Sequence, residues 1–221
     1  MNSFMPEHGV EITNTSSNRN DYLKFKKEGT YRFRVMGILG DKYNFIHGYI
    51  AWDTESKPHR EAFVEGSKGS PDLISKDRNK EPKYFWTFVV IFVSATDKDD
   101  NPMLQEEYGK PKIVEIQQIT IQQGMARLMN DEEWGDPRGY DMVLDRVGLE
   151  QENTKYFVNP KPKSPTTPEM LKAIEDARID LRVLFTNGQP FGAMSDQQNI
   201  QEIKEQPNEQ LARIAENAMS Q

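Results

Sequence analysis

The sequence predicts a mainly β, α+β domain: a five-stranded barrel of the OB-fold kind, with a helix between strands three and four, long loop insertions and an extra C-terminal helix. Three observations lead there. Tyr31, Phe33 and Val35 alternate with Arg32 and Arg34, the period of a half-buried strand. The largely apolar run from Tyr84 to Val93 suits a strand buried on both faces. Ile121, Met125, Leu128 and Met129 then switch to helical spacing.

The elements follow in order. Alternation starts at Thr30; Leu39-Gly40-Asp41-Lys42 turns the chain, and Tyr43 to Trp52 reads as a second strand. Asp53 to Pro82 is polar loop with one short strand near Arg60 to Val64. Lys83 to Ala95 is the central strand, and Lys112 to Gln117 extends or follows it. The helix ends before Trp134-Gly135-Asp136-Pro137, and two strands follow, Tyr140 to Val147 and Thr154 to Val158. A connector rich in Pro and Lys, Asn159 to Thr166, leads to a second helix capped by Thr167 with Pro168 in its first turn. Leu171, Ile174, Ala177 and Leu181 form its apolar face. The domain is expected over 21–192, between a polar N-terminal arm, 1–20, and a polar, acidic tail, 193–221.

Composition narrows the function. Only 36% of the 221 residues are hydrophobic, and no apolar run reaches the ~18–20 residues of a membrane helix. The first residues carry neither the basic start nor the apolar stretch of a signal peptide, so a cytoplasmic location is expected. With no cysteine the chain has no disulfide, no thiolate metal site and no cysteine nucleophile. The net charge of −7 is uneven: residues 19–83 carry +4, whereas 84–193 carry −6 and 194–221 carry −3. Cations crowd at Lys24, Lys26, Lys27, Arg32 and Arg34, and again at Lys155, Lys161 and Lys163. An acidic protein with basic islands can bind a polyanion, because local potential governs that contact.

If Ile46 and Ile50 are core, Phe45, His47 and Tyr49 share an outer face with Arg32 and Arg34. Cations neutralise phosphates, and aromatic rings stack exposed bases at ~1–3 kcal/mol each. The other reading of the same pattern is that these aromatics meet a second layer of core. Trp52 ends this strand beside the loop that carries Arg60, which places both next to the groove.

Residues 112–160, KIVEIQQITIQQGMARLMNDEEWGDPRGYDMVLDRVGLEQENTKYFVNP, together with TYRFRVMG at 30–37, resemble the bacteriophage single-stranded DNA-binding proteins of the T4 gene 32 type. The resemblance implies an OB-fold cleft that holds single-stranded DNA through Arg32, Arg34, Arg146, Lys155 and Tyr156. It also implies a role in phage DNA replication, recombination or repair in the host cytoplasm, with replication or recombination proteins as partners of the tail. The sequence departs from that family in three ways. It has no cysteines for the zinc subdomain, Val147-Gly148-Leu149-Glu150 replaces a glycine-richer turn, and the C-terminus ENAMSQ lacks the strongly acidic, aromatic-ended tail.

No enzyme or cofactor is expected. Asp131, Glu132, Glu133 and Asp136 all lie within one short segment at a helix end, where a solvated turn explains them better than a two-metal site. Pro102 stands where a calcium loop beginning Asp97-x-Asp99-x-Asn101 needs glycine, and no phosphate-binding glycine loop or nucleophile elbow occurs. The expected DNA-binding set is Lys24, Lys26, Arg32, Arg34, Phe45, His47, Tyr49, Trp52, Arg60, Arg146, Lys155, Tyr156, Lys161 and Lys163. The alternative function is an OB-like module that binds protein or carbohydrate.

Overall fold

A computed structural model describes residues 21–37, 43–76, 81–148 and 153–192. The expected arm and tail, and the turn at Leu39 to Lys42, lie outside these residues. The fold is α+β, dominated by one antiparallel sheet of seven strands. Its spine is β4 (Lys83–Asp97), 15 residues, most of them aromatic or β-branched, which suit a pleated surface buried on both sides.

Along one edge of β4 lie two strands in tandem. β1 (Gly29–Val35) pairs with Val90 to Asp97, and β2 (Phe45–Trp52) pairs with Lys83 to Phe88. They meet at Val89, whose carbonyl accepts from the N–H groups of Met36 and Gly37 and whose N–H donates to the Asn44 carbonyl. The chain therefore leaves the edge after Gly37 and returns to the same point at Asn44. A Cβ on residue 37 would lie 1.8 Å from the Asn44 carbonyl oxygen, so this closure requires glycine.

On the other edge of β4 lies β5 (Pro111–Ile116), which follows the central strand as a separate element. Its outer edge is capped by Asp21 to Leu23, which exchange backbone hydrogen bonds with Ile113. β3 (Pro58–Ala62) extends the sheet beyond β2, and β6 (Asp141–Val147) then β7 (Lys155–Pro160) extend it beyond β1. The ladder runs from β3 to β7 without closing. The sheet thus has seven strands where five were expected, and a closed barrel is not formed by the described ladders. The short segment after Trp52 adds β3, and Lys112 to Gln117 adds β5.

The loop expected from Asp53 to Pro82 also contains α1 (Pro71–Lys76). The amphipathic helix is α2 (Ile119–Met129), between β5 and β6. It lays Ile121, Met125 and Leu128 on the inner core of Tyr31, Phe33, Trp86, Phe88, Phe92, Met142 and Leu144. Gly124 lets it approach β7, where a Cβ would come within 3.1 Å of Val158.

α3 (Pro168–Ala177) begins as the sequence predicts, with Thr167 Oγ1 accepting the Met170 N–H at 3.3 Å. It stops four residues short of Leu181, because Arg178 turns left-handed at φ 47°. Leu181 instead opens a 3-10 turn, Leu181–Thr186. Ile179, Leu181 and Leu184 pack on Ile46, Ile50, Phe85, Val89 and Ile113, forming a second core on the opposite face of the sheet.

This second layer corrects the expected outer face of β2. Phe45 and Tyr49 are buried in the inner core, and Ile46 and Ile50 in the outer one. His47 is half-buried beside Phe63, with ring centroids 5.1 Å apart, and its Nδ1 lies 2.8 Å from the Tyr84 hydroxyl. Both faces of β2 are covered because the chain after α3 returns over it. These aromatics are packing side chains rather than an open stacking platform.

Candidate functional site

An open cleft of about 640 Å³ lies where the Asp21–Lys26 segment, the β2–β3 turn, β5, β7 and the Leu184–Pro190 turn converge. Its wall carries Lys24, Lys26, Lys57 and Arg60 against a single carboxylate, Glu115. Four half-buried aromatic rings, Tyr22, Phe25, Trp52 and Tyr156, line it as well.

The cations are held differently. The Arg60 side chain is buried and committed, with Nε and Nη2 each 2.9 Å from Glu115 Oε2. Lys57 meets Glu55 at 2.6 Å in solvent, where such a pair is worth little. It is positioned by Asp53, whose Oδ1 accepts the N–H groups of Glu55 and Lys57 and whose Oδ2 lies 2.9 Å from His59 Nε2. The His59 hydrogen bond, helped by the Lys57 N–H, keeps the Asp53 carboxyl below its usual range. Lys24 and Lys26 are exposed and form no ion pair among the described residues. Lys24 Nζ lies 5.9 Å from the centroid of the Tyr22 ring. Burial pushes the Tyr22 phenol up to about 12, so it remains a neutral ring and hydroxyl at physiological pH.

Arg146, near the end of β6, is the most unusual group nearby. It is 9% exposed, and its Nη2 reaches Thr154 Oγ1 at 3.4 Å. Its Nε and Nη1 are buried without a hydrogen-bond partner among the described residues. The strand register sets it opposite Tyr156, one of the rings of the cleft. A buried guanidinium with idle donors is costly unless an anion supplies the missing acceptors.

The fourteen expected residues thus separate. Lys24, Lys26, Trp52, Arg60 and Tyr156 are brought together on the cleft, with Arg146 behind Tyr156. Arg34 is not available to a ligand. It is 1% exposed, with Nε on Asp141 Oδ1 at 2.7 Å, Nη1 on the Arg138 and Ser164 carbonyls, and Nη2 on Ser164 Oγ at 2.7 Å. The expectation that it faces solvent is corrected by the connector after β7, which folds over it and satisfies its guanidinium. Arg32 shares Asp141 at 2.6 Å, but its side chain stays 41% exposed. Lys155 is exposed at the start of β7, and Lys161 and Lys163 are exposed beyond its end, about 20 Å away at strand spacing. None of these three lines the cleft.

Tyr22, Phe25, Lys57 and the Leu184–Pro190 turn belong to the wall but were not expected there. The run Tyr22-Leu-Lys-Phe-Lys-Lys holds aromatics interleaved with lysines, a signal for the first two. The turn has no such signal, because only the tertiary fold brings it to β5. A second cavity of about 610 Å³ opens across the same Asp21–Lys26 segment, lined by Lys24, Lys26, Lys27, Tyr31, Asp97, Glu107 and Lys112 among others. The acidic cluster after α2 forms a turn, with Asp131 Oδ1 accepting the N–H groups of Glu133 and Trp134. Among the described residues no three His, Asp or Glu side chains converge as metal ligands. No family model and no curated protein matches the sequence.

Proposed function

We propose that the cleft binds single-stranded DNA without sequence preference, making this an OB-like binding protein rather than an enzyme. The observation that carries the reading is the wall itself: four cations and four half-buried rings around one open groove, with Lys24 and Lys26 in no ion pair among the described residues. Lysines supply charge to a phosphate backbone and rings accept bases of any identity. The idle donors of Arg146 add a buried cation adjoining Tyr156. The likeness of residues 112–160 to phage single-stranded DNA-binding proteins supports the same reading and extends it to replication, recombination or repair in a host cytoplasm. Replication proteins are then partners for the acidic C-terminal segment. No helix among the described residues is long and apolar enough to cross a membrane.

Filter binding with single- and double-stranded oligonucleotides at several salt concentrations tests this. Affinity for the single strand should exceed that for the duplex and fall log-linearly with salt, at about −0.7 per phosphate neutralised. Lys24→Ala with Lys26→Ala should shallow that slope by about 1.4, two phosphates' worth. Absence of single-strand binding, or an unchanged slope in the double variant, overturns the reading.

A further inference from the structure

Beyond the cleft, the outer face of β1, β6 and β7 is covered at its Arg34 and Asp141 end by the connector around Ser164, and among the described residues it lies open along β7. The second core covers β2, β5 and the first half of β4, and stops there. On β7 the side chains of Tyr156 and Val158 turn inward, while Lys155, Phe157 and Asn159 face out and are exposed. The Lys161 N–H donates to the Asp141 carbonyl at 2.8 Å and prolongs the ladder, so Lys161 continues the same outward row. Phe157 is 52% exposed, more than any other aromatic side chain among the described residues.

The charges around this ring are mostly positive. Lys155 and Lys161 flank it along the strand, Arg32 lies two strands away through the pairs Arg32–Val143 and Val143–Asn159, and Lys163 follows in the connector. Two carboxylates share the face. Asp141 is occupied by Arg32 and Arg34, and Asp145, opposite Phe157, accepts from Thr30 Oγ1 at 2.7 Å and Asn159 Nδ2 at 3.4 Å. An exposed ring on an edge strand, set between lysines that form no ion pair among the described residues, has the composition of a nucleotide-stacking platform.

We infer that a single strand longer than the cleft passes round the edge of β7 and stacks a base on Phe157, with Lys155 and Lys161 on the flanking phosphates. This rests on the cleft reading and extends it. Tyr156 and Phe157 are consecutive, and the pleat sends one into the cleft and the other to the outer face. A strand leaving the cleft at Tyr156 therefore needs to cross only the edge of β7, which no described strand pairs, to meet the second ring. The arrangement also accounts for the expected cations that the cleft leaves out, Arg32, Lys155, Lys161 and Lys163, as one outer track.

The test compares oligo(dT) of about 5 and about 20 nucleotides, within and beyond the ~4–16 nucleotides of one OB-type site. Phe157→Val keeps a good strand former but removes the ring. It should weaken the long oligonucleotide about 5- to 150-fold, the equivalent of one stacked base at ~1–3 kcal/mol, and leave the short one unchanged. Phe157→Trp should restore long-strand affinity and place at 157 a fluorophore quenched by the long oligonucleotide alone. The Lys24→Ala, Lys26→Ala pair should weaken both lengths. Equal affinity of Phe157→Val and the parent protein for the long strand, with both lengths still sensitive to the lysine pair, overturns the outer track and leaves the cleft standing. Failure of the parent protein to bind either length overturns both.

Discussion

His47 is a base placed where its charge is unwelcome. Burial lowers its pKa from 6.5 to about 4, and its neighbours are the Phe45, Phe63 and Tyr84 rings rather than a carboxylate. The Tyr84 hydroxyl cannot compensate, since burial pushes it up to about 12 and it stays neutral. The folded pKa lies below the unfolded one, so the unfolded chain takes up the proton first as pH falls. The stability associated with neutral His47 is complete above about pH 6.5 and is lost progressively toward pH 4, by about 3 kcal/mol. Melting curves should therefore show the parent protein losing more stability between pH 7 and pH 4.5 than His47→Gln, which keeps an acceptor for Tyr84. Parallel losses in the two proteins would refute the assignment. At this scale the sequence was a poor guide, because period-two alternation tells which side chains share a face and not whether a second layer covers it. Arg34 shows the limit from the other side. Alternation set it opposite the apolar row, and only the connector around Ser164 turned that position into a buried site with four hydrogen bonds.

At the scale of elements, legibility followed local signal strength. β4, α2 and the start of α3 are written in continuous patterns, an apolar run, a helical period and a Thr-Pro cap, and they form where expected. β3 and α1 are short and polar, and the end of α3 depends on a left-handed residue that is not glycine. The tandem arrangement of β1 and β2 is set by one residue at the joint. Alanine at 37 would drive a methyl group into the backbone of Asn44, which belongs to the same ladder and cannot rotate away. Gly37→Ala should therefore cost about 1–3 kcal/mol by urea denaturation, in the range of core overpacking. Gly139→Ala is the control, since a Cβ there meets open space and should change stability by less than ~0.5 kcal/mol. Equal stability of the two variants would mean that the chain does not return to Val89 at Asn44.

Across the whole molecule, the net charge of −7 argues against general attraction to nucleic acid, so any binding has to be confined to a surface that the charge distribution isolates. The sequence showed the excess of positive charge at residues 19–83 but not its shape. The cleft gathers Lys24, Lys57 and Arg60 only because β3 folds back beside the segment that caps β5. The three tryptophans sample this surface unequally. Trp86 is fully buried in the inner core, and Trp134 packs edge-on against Tyr140 with ring centroids 5.4 Å apart, near Asp131 and Asp136. Trp52 is half-buried on the outer core and lines the cleft together with Lys57 and Arg60. A strand in the cleft meets Trp52 and neither of the others. Addition of oligo(dT) should quench the intrinsic fluorescence, and Trp52→Phe should abolish most of that change while keeping a ring for stacking. Trp52→Ala should in addition weaken binding by ~1–3 kcal/mol if a base stacks there. Undiminished quenching in Trp52→Phe, with affinity intact in Trp52→Ala, would place the strand elsewhere on the molecule, since neither a buried Trp86 nor a Trp134 flanked by carboxylates can report on a phosphate backbone in this cleft.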